Sequence, residues 1–253
     1  MLTFDSYLAH FDADAHLLAA AAARGLDPDV PGCPEWTVRD LVIHTADVHC
    51  HKADIITGAW IDQSPPHRGL PEGAAPLDWY REEAVRLYKI LEKADPALPS
   101  YTFGPDKTVG FWYRRMAQET VVHRVDAEQA HGYESAIDPE LAVDGVAELF
   151  EVFLTRRPVW AQFRPGEDVI CIETADQTWA ARLGRFVGSR KGVDYADRTM
   201  MLEPDAEPQA TIGGEPDRVF LWIWGRAPID DVTVTGDPGV VERFRATCAR
   251  RLL

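Results

Sequence analysis

Asp27-Pro28-Asp29-Val30-Pro31-Gly32-Cys33-Pro34-Glu35-Trp36-Thr37-Val38-Arg39-Asp40-Leu41-Val42-Ile43-His44 is the stretch whose reading decides the first half of the fold. Prolines 28, 31 and 34 forbid helix at its start, because each lacks an N–H donor and its ring blocks the preceding turn. At Thr37 the pattern reverses. Thr37-Val38-Arg39-Asp40 matches a capping box, a hydroxyl followed three residues later by a carboxylate. A helix is therefore expected to start there and to run through Leu41, His44, Thr45 and Val48 to about Thr57. It carries His44 among Leu41, Val42 and Val48, an apolar setting for an imidazole.

Working outward, the same 3.6-residue periodicity recurs on both sides. Residues 3–24 place Phe4, Tyr7, Leu8, Phe11, Ala15, Leu18 and Ala22 on one face, and Gly25 follows as a stop. A Pro/Gly-rich linker from Gln63 to Pro76 leads to a third helix over 77–94. A fourth helix is expected over 108–131 and a fifth over 139–155. Beyond Pro158, Pro165 and Gly166 the period changes. Residues 168–174, 178–183, 209–212 and 231–235 read as strands, 217–224 as a helix stopped by Gly225, and 238–252 as a last helix. Two domains follow: a helical one over residues 1–160 and a small α+β one over 161–253.

Composition bounds the function classes. The 253 residues can fill one large or two small cores, and no apolar run approaches the ~20 residues of a membrane span. A net charge of −15 would repel phosphate backbones, so nucleic acid is not an expected partner. The first residues are acidic where a secretion signal is basic, so a cytoplasmic location is expected. Cys33, Cys50, Cys171 and Cys248 form no CxxC pair, which excludes a zinc ribbon and a thioredoxin motif and leaves four reduced thiols.

The fourth helix carries the first sign of chemistry. Glu119 and His123 are one turn apart on a face shared with Trp112, Met116, Ala127 and Ala130, so that face points inward. A buried carboxylate costs several kcal/mol, roughly, unless compensated, and a divalent cation would compensate it. With His44 the pair makes a three-ligand set that leaves an open position, as catalytic zinc sites do. The same i,i+4 spacing also describes an ordinary hydrogen-bonded pair. Asp126, three residues after His123, is placed to orient that ring or to pair with Arg124 or a neighbour; Asp40 is explained by its capping box. His49 and His51 are expected in a solvated or pocket-rim role, and His10, His16, His67 and His131 on the surface. Cys50, between His49 and His51, does not make a Cys/His nucleophile, because neighbours on a helix diverge.

Other motifs are missing: GxGxxG, GxxxxGK[ST], GxSxG and HExxH do not occur. Gly184, Gly188 and Gly192 are expected in a basic loop, Arg182–Lys191, without phosphate-loop spacing. Such a loop could receive an anion but is more often only solvated.

Val30–His44 and Glu119-Thr120-Val121-Val122-His123-Arg124-Val125-Asp126-Ala127-Glu128 resemble the two signatures of the mycothiol-dependent maleylpyruvate isomerase family. Phe220-Leu221-Trp222-Ile223-Trp224-Gly225-Arg226 and Val232-Thr233-Val234-Thr235-Gly236-Asp237 resemble its C-terminal domain. The resemblance implies a DinB-like up-and-down four-helix bundle followed by a small sterol-carrier-like α+β domain. It implies His44, Glu119 and His123 as metal ligands, usually for zinc, mycothiol as co-substrate, and a C-terminal arginine, matched here by Arg226, in catalysis. The expected partners are a low-molecular-weight thiol and a small electrophile, with the chain a monomer or homodimer. Isomerisation and S-transfer both fit. A hydrolase using bound hydroxide and a non-catalytic small-molecule-binding module are the alternatives.

Overall fold

The computed structural model describes residues 2–58 and 60–252. Four helices make the first compact unit: α1 (Phe4–Ala22), α2 (Val38–Thr57), α3 (Pro76–Leu91) and α4 (Gly110–Ala130). Local chemistry sets where they start. The Thr3 hydroxyl accepts from the Ser6 N–H at the head of α1. At α2 the capping box closes in both directions, Asp40 N–H to Thr37 Oγ1 at 3.4 Å and Thr37 N–H to Asp40 Oδ2 at 2.9 Å. Pro76 opens α3, where a missing N–H is harmless. Leu18, Leu41, Val42, Trp79 and Tyr80 lie in one buried cluster from α1, α2 and α3. This is the expected bundle. None of the helices in the described residues is long and apolar enough to cross a membrane.

The second compact unit starts at Asp138, not near residue 160. α5 (Pro139–Glu148) packs on the later helix Pro216–Trp224, and the π-helical turn Leu149–Leu154 that continues it packs on the last helix, Pro238–Leu252, and on the strand Val193–Leu202. Those contacts put the fifth helix with the sheet. The π turn also corrects a uniform helix over 139–155. Leu149, Phe150, Val152 and Leu154 are all buried, more than a single α-helical stripe accommodates.

The sheet contains β1 (Gln162–Thr174), β2 (Gln177–Arg190), β3 (Val193–Leu202), β4 (Ala210–Gly214) and β5 (Thr233–Gly236), in the order β3-β2-β1-β4-β5. β1 and β4 are parallel and the other pairs antiparallel. α6 (Pro216–Trp224) ends at Gly225, whose φ of 80° needs no Cβ to be tolerated, and α7 (Pro238–Leu252) closes the chain.

Two expectations change here. Arg182–Lys191 is not a loop: it is the second half of β2 and the turn into β3. Lys191 and Gly192 both have positive φ, 52° and 76°, the backbone of a two-residue hairpin turn. β3 was not expected at all. It is an edge strand with most of its side chains in water, so it lacks the apolar alternation that betrays a strand.

Candidate metal centre

α2 and α4 bring His44, Glu119 and His123 together. Glu119 Oε1 lies 3.5 Å from His44 Nε2 and 3.4 Å from His123 Nε2, and one ligand atom from each residue lies within 4.8 Å of the others. The two rings meet edge to face, 5.1 Å between centroids. Two ligands bound to zinc at tetrahedral angles with bonds of 2.0–2.2 Å stand about 3.4 Å apart. Two imidazole nitrogens and a carboxylate oxygen at that spacing could hold a divalent cation of intermediate softness.

The neighbours fix the donors. Asp126, fully buried, lies 3.0 Å from His123 Nδ1 and accepts its N–H, which turns Nε2 toward the cluster. Arg124 pairs with Asp14 at 3.0 Å. Arg115, almost fully buried, donates to the second oxygen of Glu119 at 2.9 Å. In the protein alone burial works to raise the Glu119 pKa, and the hydrogen bonds from His123 and His44 with the Arg115 charge hold it well below the usual carboxylate range. Burial likewise works to lower the His123 pKa, and the bonds to Asp126 and Glu119 outweigh it, raising the value to about 9. The cluster is a mutually compensated set in which a proton on His123 supplies positive charge between two carboxylates.

The Pro-rich loop before α2 walls the site. Its chain turns back on itself through Val30 N–H to the Trp36 carbonyl and Trp36 N–H to the Cys33 carbonyl, with Glu35 at φ 74°. This sets the Trp36 ring 4.9 Å from that of His44, tilted by 52°, and stacks it 6.4 Å from that of His123. It also sets Cys33 Sγ 3.6 Å from Asp126 Oδ2. Cys33, His123 and Asp126 form a second group with ligand atoms within 4.8 Å, sharing His123 with the first.

Sequence reasoning did not single out Arg115, Trp36 or Cys33 as parts of this site. Arg115 stands one turn before Glu119, so spacing could have found it; the two loop residues depend on the fold of the loop.

The remaining residues sort differently. His49 is a core residue: its Nε2 meets Thr120 Oγ1 at 3.1 Å, and burial pushes its pKa down to about 3. His51 is buried too, not a rim residue. Its Nε2 donates to the Pro65 carbonyl at 2.9 Å, which ties α2 to the linker. Lys52 Nζ lies 2.7 Å from His51 Nδ1, and burial lowers its pKa to about 8. Cys50, Cys171 and Cys248 are buried thiols whose pKa values burial raises, to about 11, 11 and 12. Arg226, in the second unit, is buried just past α6; its Nη1 donates to the Trp224 carbonyl at 2.7 Å.

Residues 8–128 match the family model described as the mycothiol maleylpyruvate isomerase N-terminal domain, and residues 140–243 match the C-terminal domain of the same family. The crystal structure of the mycothiol-dependent maleylpyruvate isomerase superposes with a TM-score of 0.60 at 13% identity, covering 93% of this chain and 95% of that one. A histidine-to-alanine mutant of the mycothiol-dependent maleylpyruvate isomerase gives 0.61 at 12%, with the same coverage. At such identities the likeness is one of fold. No curated protein matches the sequence.

Proposed function

The chain belongs to the mycothiol-dependent maleylpyruvate isomerase family, and on that premise we propose that it is a metal-dependent enzyme of thiol chemistry. In this reading His44, Glu119 and His123 hold a divalent cation, zinc by the type of donor, and mycothiol is the co-substrate. The thiolate acts on a small electrophile, by adding to and leaving an activated double bond or by remaining attached. The observation that carries the reading is the pair of 3.4–3.5 Å edges joining one carboxylate oxygen to two imidazole nitrogens, the spacing of ligands around one small cation.

A cation bound there would supply charge that keeps a thiol ionised near neutral pH, with no redox change. The protein's own residues do the rest. Asp126 holds the His123 tautomer through Nδ1 and so presents Nε2. Arg115 keeps one Glu119 oxygen engaged and leaves Oε1 toward the histidines. Trp36 covers one side of both rings and keeps water from that side. Arg226 is the arginine we assign to the isomerase chemistry, supported by its place in the Phe220–Arg226 segment that resembles the family's C-terminal domain. Four free cysteines suit a reducing, cytoplasmic setting.

The test is elemental analysis of the purified protein followed by turnover with and without the thiol. About one zinc per chain, with activity that vanishes when low-molecular-weight thiols are removed, is the expected result. A chain that takes up no divalent metal, or turnover indifferent to thiols, overturns the reading.

A further inference from the structure

The sheet carries a group of cations that the metal centre does not use. Arg164 of β1 stands opposite Arg185 of β2, and Arg185 stands opposite Arg198 of β3. Directly opposed residues of antiparallel strands project from the same face with Cβ atoms about 4.5–5.5 Å apart. Three guanidinium groups thus form one row across three strands. Arg243 of α7 joins them, and all four line a single cavity of about 410 Å³.

Like charges in direct cross-strand register oppose folding, so such a row needs compensation. The described residues do not provide it. The one carboxylate lining the cavity, Asp168, is engaged by Arg243 in a two-pronged pair, Nε to Oδ2 at 2.6 Å and Nη2 to Oδ1 at 2.8 Å. The guanidinium groups of Arg164, Arg185 and Arg198 have no hydrogen-bond or ion-pair partner among the described residues. This occurs in a chain with 41 acidic and 26 basic side chains, where a basic surface group would ordinarily lie beside an acidic one.

The backbone is shaped around the row. β1 bulges between Pro165 and Val169 beside it. At Gly184, between the strands, a Cβ would come within 2.4 Å of the Arg164 carbonyl and 2.7 Å of the Phe163 ring, so only glycine lets β1 and β2 approach there.

We propose that this row is a binding site for a small polyanion, a phosphate or polycarboxylate that carries more than one negative charge. Guanidinium groups are planar forks matched to both kinds of oxyanion. The cavity has the size of a small-molecule site, and the net charge of −15 disfavours a nucleic-acid backbone. The inference stands whether or not the first unit binds metal.

The test is a thermal-shift titration of the full chain at constant ionic strength, with inorganic phosphate in one arm, tricarballylate in a second and acetate as the monoanionic control. Neither polyanion is a strong chelator, so the metal centre stays out of the measurement. A saturable rise in Tm with phosphate or tricarballylate but not acetate is expected, and the tighter arm names the ligand class. Arg185→Gln should weaken that binding at least tenfold while melting no lower than the parent chain without ligand. Arg198→Gln repeats the test should the first variant fold poorly. No saturable shift in either arm, or the same affinity in the Gln variants as in the parent, overturns the site.

Discussion

The two units handle buried and clustered charge in opposite ways. Around His123 every charge is answered inside the protein: Glu119 faces two imidazoles and Arg115, and Asp126 takes the second His123 nitrogen. Along Arg164, Arg185 and Arg198 none of the described residues answers the charge. A compensated cluster is buried because each member makes the others tolerable. An uncompensated one stays on the surface and waits for a partner from outside. The first arrangement suits chemistry at a fixed centre, the second recognition of a ligand that brings its own charge.

The compensated cluster is broken most severely at its shared member. His123→Ala removes a partner that Glu119 and Asp126 share and takes the imidazole from the fully buried Asp126. Metal content should fall to background, turnover should be lost, and stability should drop on the order of 3–5 kcal/mol, as when one side of a buried ion pair is deleted. His44→Ala should abolish metal uptake as completely but cost far less stability, because that side chain is 38% exposed. Elemental analysis and chemical denaturation of the two variants check both halves. If both bind zinc normally, the ligand assignment fails. Asp126→Asn is the finer cut: it keeps the shape and removes the charge that orients His123. A 10–100-fold weaker zinc affinity is expected with helical content unchanged, measured by competition with a chelator; unaltered affinity would detach Asp126 from the site.

The same contrast explains how much could be seen in advance. Glu119 and His123 are one helical turn apart, so their common face was legible in the sequence, and the Thr37–Asp40 capping box fixed the register that presents His44. Helical neighbours are close in sequence. The arginine row is not: Arg164, Arg185 and Arg198 meet only through strand register, and β3 lacks the apolar alternation that would have announced it. Arg185 was visible only as part of a basic stretch taken for a loop. The domain boundary was misplaced for a related reason. The 139–155 periodicity announces a helix, but only tertiary contacts with α6, α7 and β3 assign it to the sheet. Trp36 and Cys33 reach the candidate metal centre through a loop whose path depends on the left-handed Glu35, a conformation that no pattern in the chain predicts.

At the entry to α2 the effect should be moderate. Thr37→Ala removes the hydroxyl that accepts the Asp40 N–H and the partner that lowers the Asp40 pKa. A loss of about 1 kcal/mol is expected by denaturation, with metal content retained because His44 lies two turns further on. A larger loss, or loss of metal, would mean that the cap positions the site as well as starting the helix.

The smallest effect should have the opposite sign. Without ligand, Arg185→Gln removes the central charge of the row and relieves both of its cross-strand neighbours, so the chain should gain about 0.2–1 kcal/mol. The gain should shrink as salt is added, because exposed charges are screened within about 10 Å at 0.1 M. Denaturation at low and high salt measures it. A variant that is less stable at low salt would mean that Arg185 makes a favourable contact in the folded protein. The row would then be compensated after all, and the contrast between the two units would disappear. A stabilising, salt-sensitive substitution that also weakens polyanion binding would show the reverse: an arrangement kept at the expense of stability, whose compensation arrives with the ligand.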